Sequence, residues 1–239
     1  MLLEMKHITK RYGTLLANDD VSISLQQGEI LAIVGENGAG KSTIMKILYG
    51  LEQPNGGEIF LNGKTVQFTN PIHAIEAGIG MVHQHFMLFP SMTVAENIVY
   101  GAEIRKKRFI FDKAGTEEAV RRLSETYSMQ VDPMAVIADC PVGVQQRVEI
   151  LKILYQNANI IIFDEPSAVL TPLEVKELLK TIKELARAGK SIIGRQHETI
   201  DIVKDEGKCT GHKLLEIDKG NPKMFAPNGK SKKSRQRPL

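Results

Sequence analysis

Cysteine is almost missing from this chain of 239 residues: Cys140 and Cys209 are the whole complement, at a spacing that fits no metal-ligand pattern. Neither a disulfide framework nor a structural zinc site can be built from them, which suits a reducing compartment such as the cytoplasm. Tryptophan is absent and aromatic residues make up only 5% of the chain, so the interior must be largely aliphatic; 42% hydrophobic residues suffice for one domain or two small ones. No apolar run approaches the roughly 18 residues of a membrane span, and Met1-Leu2-Leu3-Glu4 lacks the basic-then-apolar layout of a secretion signal. Any membrane role is therefore expected to be peripheral. The net charge of +3 is not spread over the chain: Lys230, Lys232, Lys233, Arg235 and Arg237 lie in the last ten residues, and subtracting those five leaves −2. Such a tail is expected to be solvated, with a polyanion-binding arm as the lesser alternative.

What is present is concentrated between residues 30 and 50. A short apolar run, Ile30-Leu31-Ala32-Ile33-Val34, predicts a buried strand, and Ile44, Ile47 and Leu48 recur at helical spacing before Gly50. Between them lies Gly35-Glu36-Asn37-Gly38-Ala39-Gly40-Lys41-Ser42, a G-x-x-x-x-G-K-S pattern. Glycines there let successive backbone N–H groups turn toward one anion, and the helix N-terminus adds its positive end. Lys41 would reach the β- and γ-phosphates and the Ser42 hydroxyl would ligate Mg²⁺. The alternative, a glycine turn followed by an exposed lysine, does not require the strand before it and the helix after it. The pattern implies a nucleoside triphosphate.

Strands are expected over Leu3–Ile8 and Val21–Leu25, with Tyr12 between them able either to pack or to stack on a base. Gly56-Gly57 and Asn62-Gly63 are hairpin signals around Ile59-Phe60-Leu61 and Val66-Gln67-Phe68. The pattern predicts a helix from Pro71 to Glu76, then a strand Met81-Val82-His83-Gln84, which would put His83 and His85 on one face without a third metal ligand. Capping boxes at Thr93–Glu96 and Thr171–Glu174 open further helices. Arg105-Lys106-Lys107-Arg108 is expected to be a solvated face, and the stretch 87–155 to be predominantly helical. Pro141 and Gly143 predict a turn just before a helix running through Val148, Ile150, Leu151 and Leu154. Ile160-Ile161-Ile162-Phe163 predicts a strand buried on both faces that ends in Asp164-Glu165-Pro166. Two carboxylates there would sit beside the glycine loop, Asp164 to hold the Mg²⁺ shell and Glu165 to orient or deprotonate a water; a helix-capping pair is the bland alternative.

The order of these motifs, from residue 1 to about 197, resembles the ATP-binding cassette (ABC) ATPases. The wording Val82-His83-Gln84-His85-Phe86-Met87-Leu88, Val142-Gly143-Val144-Gln145-Gln146-Arg147-Val148-Glu149-Ile150 and Ala168-Val169-Leu170-Thr171-Pro172 resembles the simple-sugar and nucleoside importer branch. That resemblance implies an α/β fold: a P-loop NTPase (RecA-like) core with an N-terminal antiparallel β subdomain and an inserted helical subdomain. It implies an ABC-type nucleotide-binding domain over 1–205, its helical subdomain at about 87–155, and an unassigned segment at 206–239. ATP would be held by Tyr12, Gly35, Asn37, Gly38, Ala39, Gly40, Lys41, Ser42 and Thr43. Gly143 and Gln145 would cap the γ-phosphate of nucleotide bound by an opposite domain. Mg²⁺ would be met by Ser42, Gln84 and Asp164, and catalysis carried by Glu165, His197 and Gln84.

The implied function is an ATPase at the cytoplasmic face of the membrane, peripheral to transmembrane permease subunits. It would pair with a second nucleotide-binding domain, serve a substrate-binding protein indirectly, and bind no nucleic acid. A non-transport ABC ATPase acting on nucleic acid or the ribosome is the alternative, as is a truncated domain with impaired hydrolysis. Departures from the pattern exist: Pro141 replaces the signature serine, Cys140 a leucine, and Thr171 an aspartate. Gly194-Arg195 is expected to break the strand before His197, and the two strands implied beyond it are not evident. A truncated or frame-altered product of a longer gene would account for both.

Overall fold

The structure, a computed structural model, describes residues 1–84, 86–107, 110–164, 170–195, 213–218 and 221–225. In chain order the elements are β1 (Leu3–Tyr12), β2 (Leu15–Leu25), β3 (Ile30–Val34), α1 (Lys41–Leu48), β4 (Gly56–Leu61), β5 (Lys64–Val66), α2 (Pro71–Glu76) and β6 (Ile79–Val82). There follow α3 (Val94–Val99), β7 (Arg105–Lys107), β8 (Ile110–Phe111), α4 (Lys113–Thr126), a 3₁₀ turn (Ile137–Asp139) and α5 (Val142–Tyr155). The last group is β9 (Ile160–Phe163), α6 (Pro172–Arg187), β10 (Ser191–Gly194), β11 (Lys213–Asp218) and β12 (Asn221–Phe225).

Apolar alternation sorts the strands into two layers. β2, β1, β4 and β5 form an antiparallel sheet in that order, while β12, β11, β3, β10, β9 and β6 form a second sheet. In the second sheet β11, β3, β10, β9 and β6 are parallel and only β12 runs against its neighbour. Because strand side chains alternate across the sheet, each parallel strand feeds two cores. Leu31, Ile33, Ile160, Ile162 and Ile193 face the antiparallel sheet and α1, whereas Ile30, Ala32, Ile161, Phe163 and Ile192 face α3, α5 and α6. All ten are at most 1% exposed, so both faces are covered, as an all-apolar parallel strand requires.

Helix ends obey the local signals. Thr93 and Thr171 close complete capping boxes, and Pro172 occupies the first turn of α6. On α6, Leu178, Ile182 and Leu185 form the buried stripe. The helix α5 is different: Val148, Glu149, Ile150, Leu151, Ile153 and Leu154 are all buried, so it runs through the interior. The segment leading into α3 is tied down by Asn97, which is fully buried; its Oδ1 accepts from Phe89 N–H at 2.7 Å and its Nδ2 donates to the carbonyls of Phe89 and Thr93.

Several expectations need correction. Gly56-Gly57 is no hairpin turn but lies inside β4, where Gly57 (φ +95°) faces a bulge in β1; a Cβ there would come within 2.6 Å of the His7 and Lys6 carbonyls. β6 ends at Val82, so His83 and Gln84 lie past the strand and share no strand face, and His85 lies outside the described residues. The 87–155 stretch includes the two-stranded β7–β8 hairpin. Gly143 lies within the first turn of α5, with Pro141 as the cap, rather than in a preceding turn. β10 keeps Gly194, which pairs with Phe163 and Ala32, and ends there, while residues 196 and 197 lie outside the described part of the chain. β11 and β12 supply the two strands that were not evident, β11 pairing parallel with β3 from Lys213↔Leu31 to Glu216↔Val34. The basic residues 230–237 and Cys209 lie outside the described residues.

Candidate functional site

The glycine loop forms where β3 hands over to α1. Its φ angles are +143° at Gly35, +84° at Gly38 and +88° at Gly40, conformations that only glycine adopts without strain. Gly40 caps α1, so no side chain accepts from the first-turn N–H groups, and no acidic residue stands in that turn. A helix start without a side-chain cap, with its dipole end exposed, is an anion site. Lys41 opens the helix and is only 8% exposed, its ammonium donating to the carbonyls of Gly35 (2.5 Å) and Glu36 (2.7 Å).

In front of the loop lies a cavity of about 510 Å³, in the range that takes a small-molecule ligand. Asn37, Gly38, Gly40, Lys41, Ser42 and Thr43 line it, with Tyr12 from the end of β1. Tyr12 is 41% exposed, and Lys10 Nζ stands 4.9 Å from its ring centroid. Its phenol is pushed up, by desolvation first and then by the Glu52 carboxylate. Gly35 and Ala39 shape the loop without lining the cavity, Ala39 being 5% exposed.

Asp164 follows β9 and its N–H donates to the Val82 carbonyl. Its Oδ1 is buried and accepts no hydrogen bond among the described residues; Arg195 Nη1 is 3.5 Å away, an ion-pair distance without hydrogen-bond geometry. An orphaned buried carboxylate oxygen and the Ser42 hydroxyl are hard oxygen donors of the kind Mg²⁺ takes, so these residues fit that ion. Among the described residues, no group of three or more His, Cys, Asp or Glu side chains could hold a metal by itself. Glu165 and His197 lie outside the described residues.

Three other expected site residues stand elsewhere. Gln84 and Gln145 share a second cavity of about 360 Å³ with Phe86, Leu88, Ile137 and Val142. Gln145 Nε2 also donates to the Cys140 carbonyl at 2.9 Å, bracing the turn before α5. The Gly143 N–H donates to Glu174 Oε1 at 3.0 Å. That carboxylate is held below its ordinary range mainly by the Thr171 backbone N–H and hydroxyl. Gly143 does not line the glycine-loop cavity, and neither does Gln145.

Residues the motif reading did not single out matter as much. Asn18, fully buried on β2, donates from Nδ2 to the Gly40 carbonyl at 3.2 Å and so fixes the last peptide of the loop. Arg195 lines the cavity opposite Lys41's loop. Glu149 and Lys152, one turn apart on α5, hold the Met87 peptide from both ends: Lys152 Nζ donates to its carbonyl at 3.0 Å and Glu149 accepts from its N–H. The signal for Asn18 and Glu149 is a polar residue at an inward position of an otherwise apolar element, which is visible only once the element's bounds are known.

Two consequences are testable. Gly40→Ala would place a Cβ against the Ala17 carbonyl and 2.5 Å from Asn18 Nδ2, at a φ of +88°. The expected cost is about 3 kcal/mol, a fall of roughly 6–12 °C in Tm for a chain of this size. Thermal unfolding within 2 °C of the parent would refute the packing described, a margin of about 1 kcal/mol. The second concerns Glu149, which is 2% exposed. Burial raises its pKa above the ordinary 4.5, against Lys152 and the Met87 N–H, which lower it. A carboxyl whose folded pKa is raised binds more protons folded than unfolded, so stability falls as pH climbs from 4.5 through the folded value. Glu149→Gln keeps an acceptor for Met87 without the charge. Denaturant unfolding is expected to show it more stable than the parent at pH 8, by on the order of 1 kcal/mol, with the gap closing in acid. A gap that does not change with pH would exclude the assignment.

A family model described as ABC transporter matches residues 18–168. The nucleoside import ATP-binding protein NupA of Lactococcus lactis subsp. cremoris (strain MG1363) is 50% identical over 219 residues, 92% of this chain and 42% of that protein. The guanosine import ATP-binding protein NupO of Bacillus subtilis (strain 168) is 51% identical over 192 residues, 80% of this chain and 38% of that protein. The chain thus spans well under half the length of these curated relatives. Among solved structures, a nucleotide-free ATP-binding cassette from an ABC transporter superposes with a TM-score of 0.78 at 24% identity, covering 94% of this chain and 90% of that one, a likeness of fold.

Proposed function

Because the chain belongs to the ABC transporter family, we propose that it is an ATP-binding and ATP-hydrolysing part of an importer for nucleosides or simple sugars. The observation that carries this reading is the cavity at the N-terminus of α1, where Lys41, Ser42 and Thr43 meet Tyr12. Identities near 50% to proteins named for nucleoside and guanosine import favour the nucleoside branch.

The chemistry follows from charge, since phosphoryl transfer needs positioning and neutralisation more than covalent help. Backbone N–H groups of the loop and of the first turn of α1 would cradle the phosphates, Lys41 would add a point charge, and Tyr12 would offer its ring to the base. Ser42 and Asp164 would hold Mg²⁺, Gln84 joining them only by turning from the second cavity, and the ion would supply further neutralisation when bound. Glu165, next in the chain to Asp164, would take the proton of the attacking water, and His197 would contact the γ-phosphate. Gly143 and Gln145 would serve nucleotide held by a second nucleotide-binding domain, in a homo- or heterodimer. The domain assignment is 1–205, with its helical subdomain at about 87–155. The strand β11 carries the core sheet beyond that bound.

The second cavity, apolar and flanked by Gln84, is where a transmembrane permease subunit would seat. There the Glu149–Lys152 grip on Met87 would transmit the state of the site to the partner. No helix among the described residues is long and apolar enough to cross a membrane; the importer reading itself places the chain peripherally on the cytoplasmic face. The test is calorimetric titration with ATP and Mg²⁺, then phosphate release in the presence of a paired domain. Saturable binding is expected, about a hundredfold weaker in Lys41→Ala and kept in Glu165→Gln. No binding to the folded chain would sink the proposal.

A further inference from the structure

Arg195 is a basic side chain where the motif order gives no basic residue a role, and it stands on the wall of the glycine-loop cavity. Strand register puts it there. β9 and β10 are parallel with Gly194 opposite Phe163, so the residues that follow, Arg195 and Asp164, leave the sheet side by side. The Arg195 N–H continues the ladder by donating to the Phe163 carbonyl at 3.1 Å. Both side chains are withdrawn from solvent, at 17% and 16% exposure, with Nη1 and Oδ1 3.5 Å apart. At that separation the guanidinium neutralises the carboxylate, while Oδ1 has no hydrogen bond among the described residues. Its planar fork of donors matches the geometry of a phosphate.

We propose that Arg195 is a built-in cation of the nucleotide site, binding the terminal phosphates of the triphosphate and competing with Mg²⁺ for Asp164. The inference rests on the proposed nucleotide site and names a residue of it that the motifs do not. Lys41 supplies one positive charge from the loop side; Arg195 supplies a second from the sheet side, where the metal would otherwise do so alone. When a triphosphate enters, the guanidinium turns its donors to phosphate oxygens, and the Asp164 carboxylate that it had been neutralising becomes available to the metal. ATP affinity should therefore depend less on Mg²⁺ than in a site whose only fixed cation is the loop lysine.

The experiment is equilibrium titration of the full chain with ATP, in excess EDTA and in MgCl₂, for the parent, Arg195→Met, Arg195→Lys and Lys41→Ala, each checked for folding by circular dichroism. Loss of a charge-assisted phosphate contact should weaken metal-free binding by Arg195→Met about tenfold or more, while Mg²⁺–ATP binding falls by clearly less, because removing the guanidinium also frees Asp164 for the metal. Arg195→Lys should recover part of the metal-free affinity. Equal metal-free affinity in parent and Arg195→Met, or equal losses with and without the metal, would overturn the proposal. Should the methionine variant fail to fold, the lysine variant carries the same comparison, with a severalfold loss in EDTA and a smaller one in MgCl₂ expected, and no loss, or equal losses, overturning. Failure of the site itself looks different: Lys41→Ala would then bind as the parent does in both buffers.

Discussion

Lys41→Ala should bind ATP about a hundredfold more weakly than the parent and release phosphate at background rate. Lys41 is only 8% exposed, and its ammonium donates to the carbonyls of Gly35 and Glu36, at 2.5 and 2.7 Å. Those two carbonyls are neutral acceptors on the loop that lines the cavity, so they hold the ammonium where an arriving phosphate would meet it. A hydrogen bond to a charged partner contributes about 1.5–3 kcal/mol, and two phosphate oxygens bring the loss to roughly 3 kcal/mol, or about a hundredfold. The fold should hardly notice. Water can reach both carbonyls once the side chain is gone, so unfolding free energy should change by no more than about 1 kcal/mol. Arginine is no substitute, because its planar fork cannot reproduce a compact point charge between two loop carbonyls. Calorimetry beside thermal unfolding separates the two effects, and unchanged affinity in a folded variant would remove the loop from the nucleotide site.

Much of the fold was legible because its signals are local. The apolar runs at 30–34 and 160–163, the capping boxes at Thr93 and Thr171, and the Asn62-Gly63 turn each encode their structure within a few residues, and each is found where expected. What could not be read locally was decided by neighbours. Gly194 interrupts an apolar run on paper, yet it is held between Ala32 and Phe163 by ladders on both sides, and those two strands supply what its own side chain lacks. Gly56-Gly57 has the composition of a turn; the bulge of β1 pressing on it makes it a strand instead. Lys213–Asp218 joins the sheet through long-range pairing with β3 and has no strong alternation of its own. The site divides the same way. Loop residues came from a motif, because phosphate binding constrains consecutive positions. Asn18 and Arg195 are contributed by distant strands, and only strand pairing shows that they converge.

Glu165→Gln should separate binding from chemistry: ATP affinity within about twofold of the parent, and turnover by a paired domain lower by a hundredfold or more, the range of general base catalysis. The residue lies outside the described part of the chain, so the case is chemical. Asp164 is engaged, its backbone held by Val82 and its carboxylate facing Arg195, which suits a group that neutralises charge rather than one that takes a proton. A base must be able to accept a proton from water, and the next carboxylate in sequence is the one left for that work. Glutamine keeps the size and the hydrogen-bonding carbonyl, so a positioned water would stay; what is removed is the proton acceptor alone. Single-turnover phosphate release is the measurement to use, because slow product release would mask the chemical step in steady state. A variant that hydrolyses at the parental rate would pass the base role elsewhere. One that loses ATP binding along with turnover would show instead that the acid shapes the site, and that the division of labour between Asp164 and Glu165 proposed above is wrong.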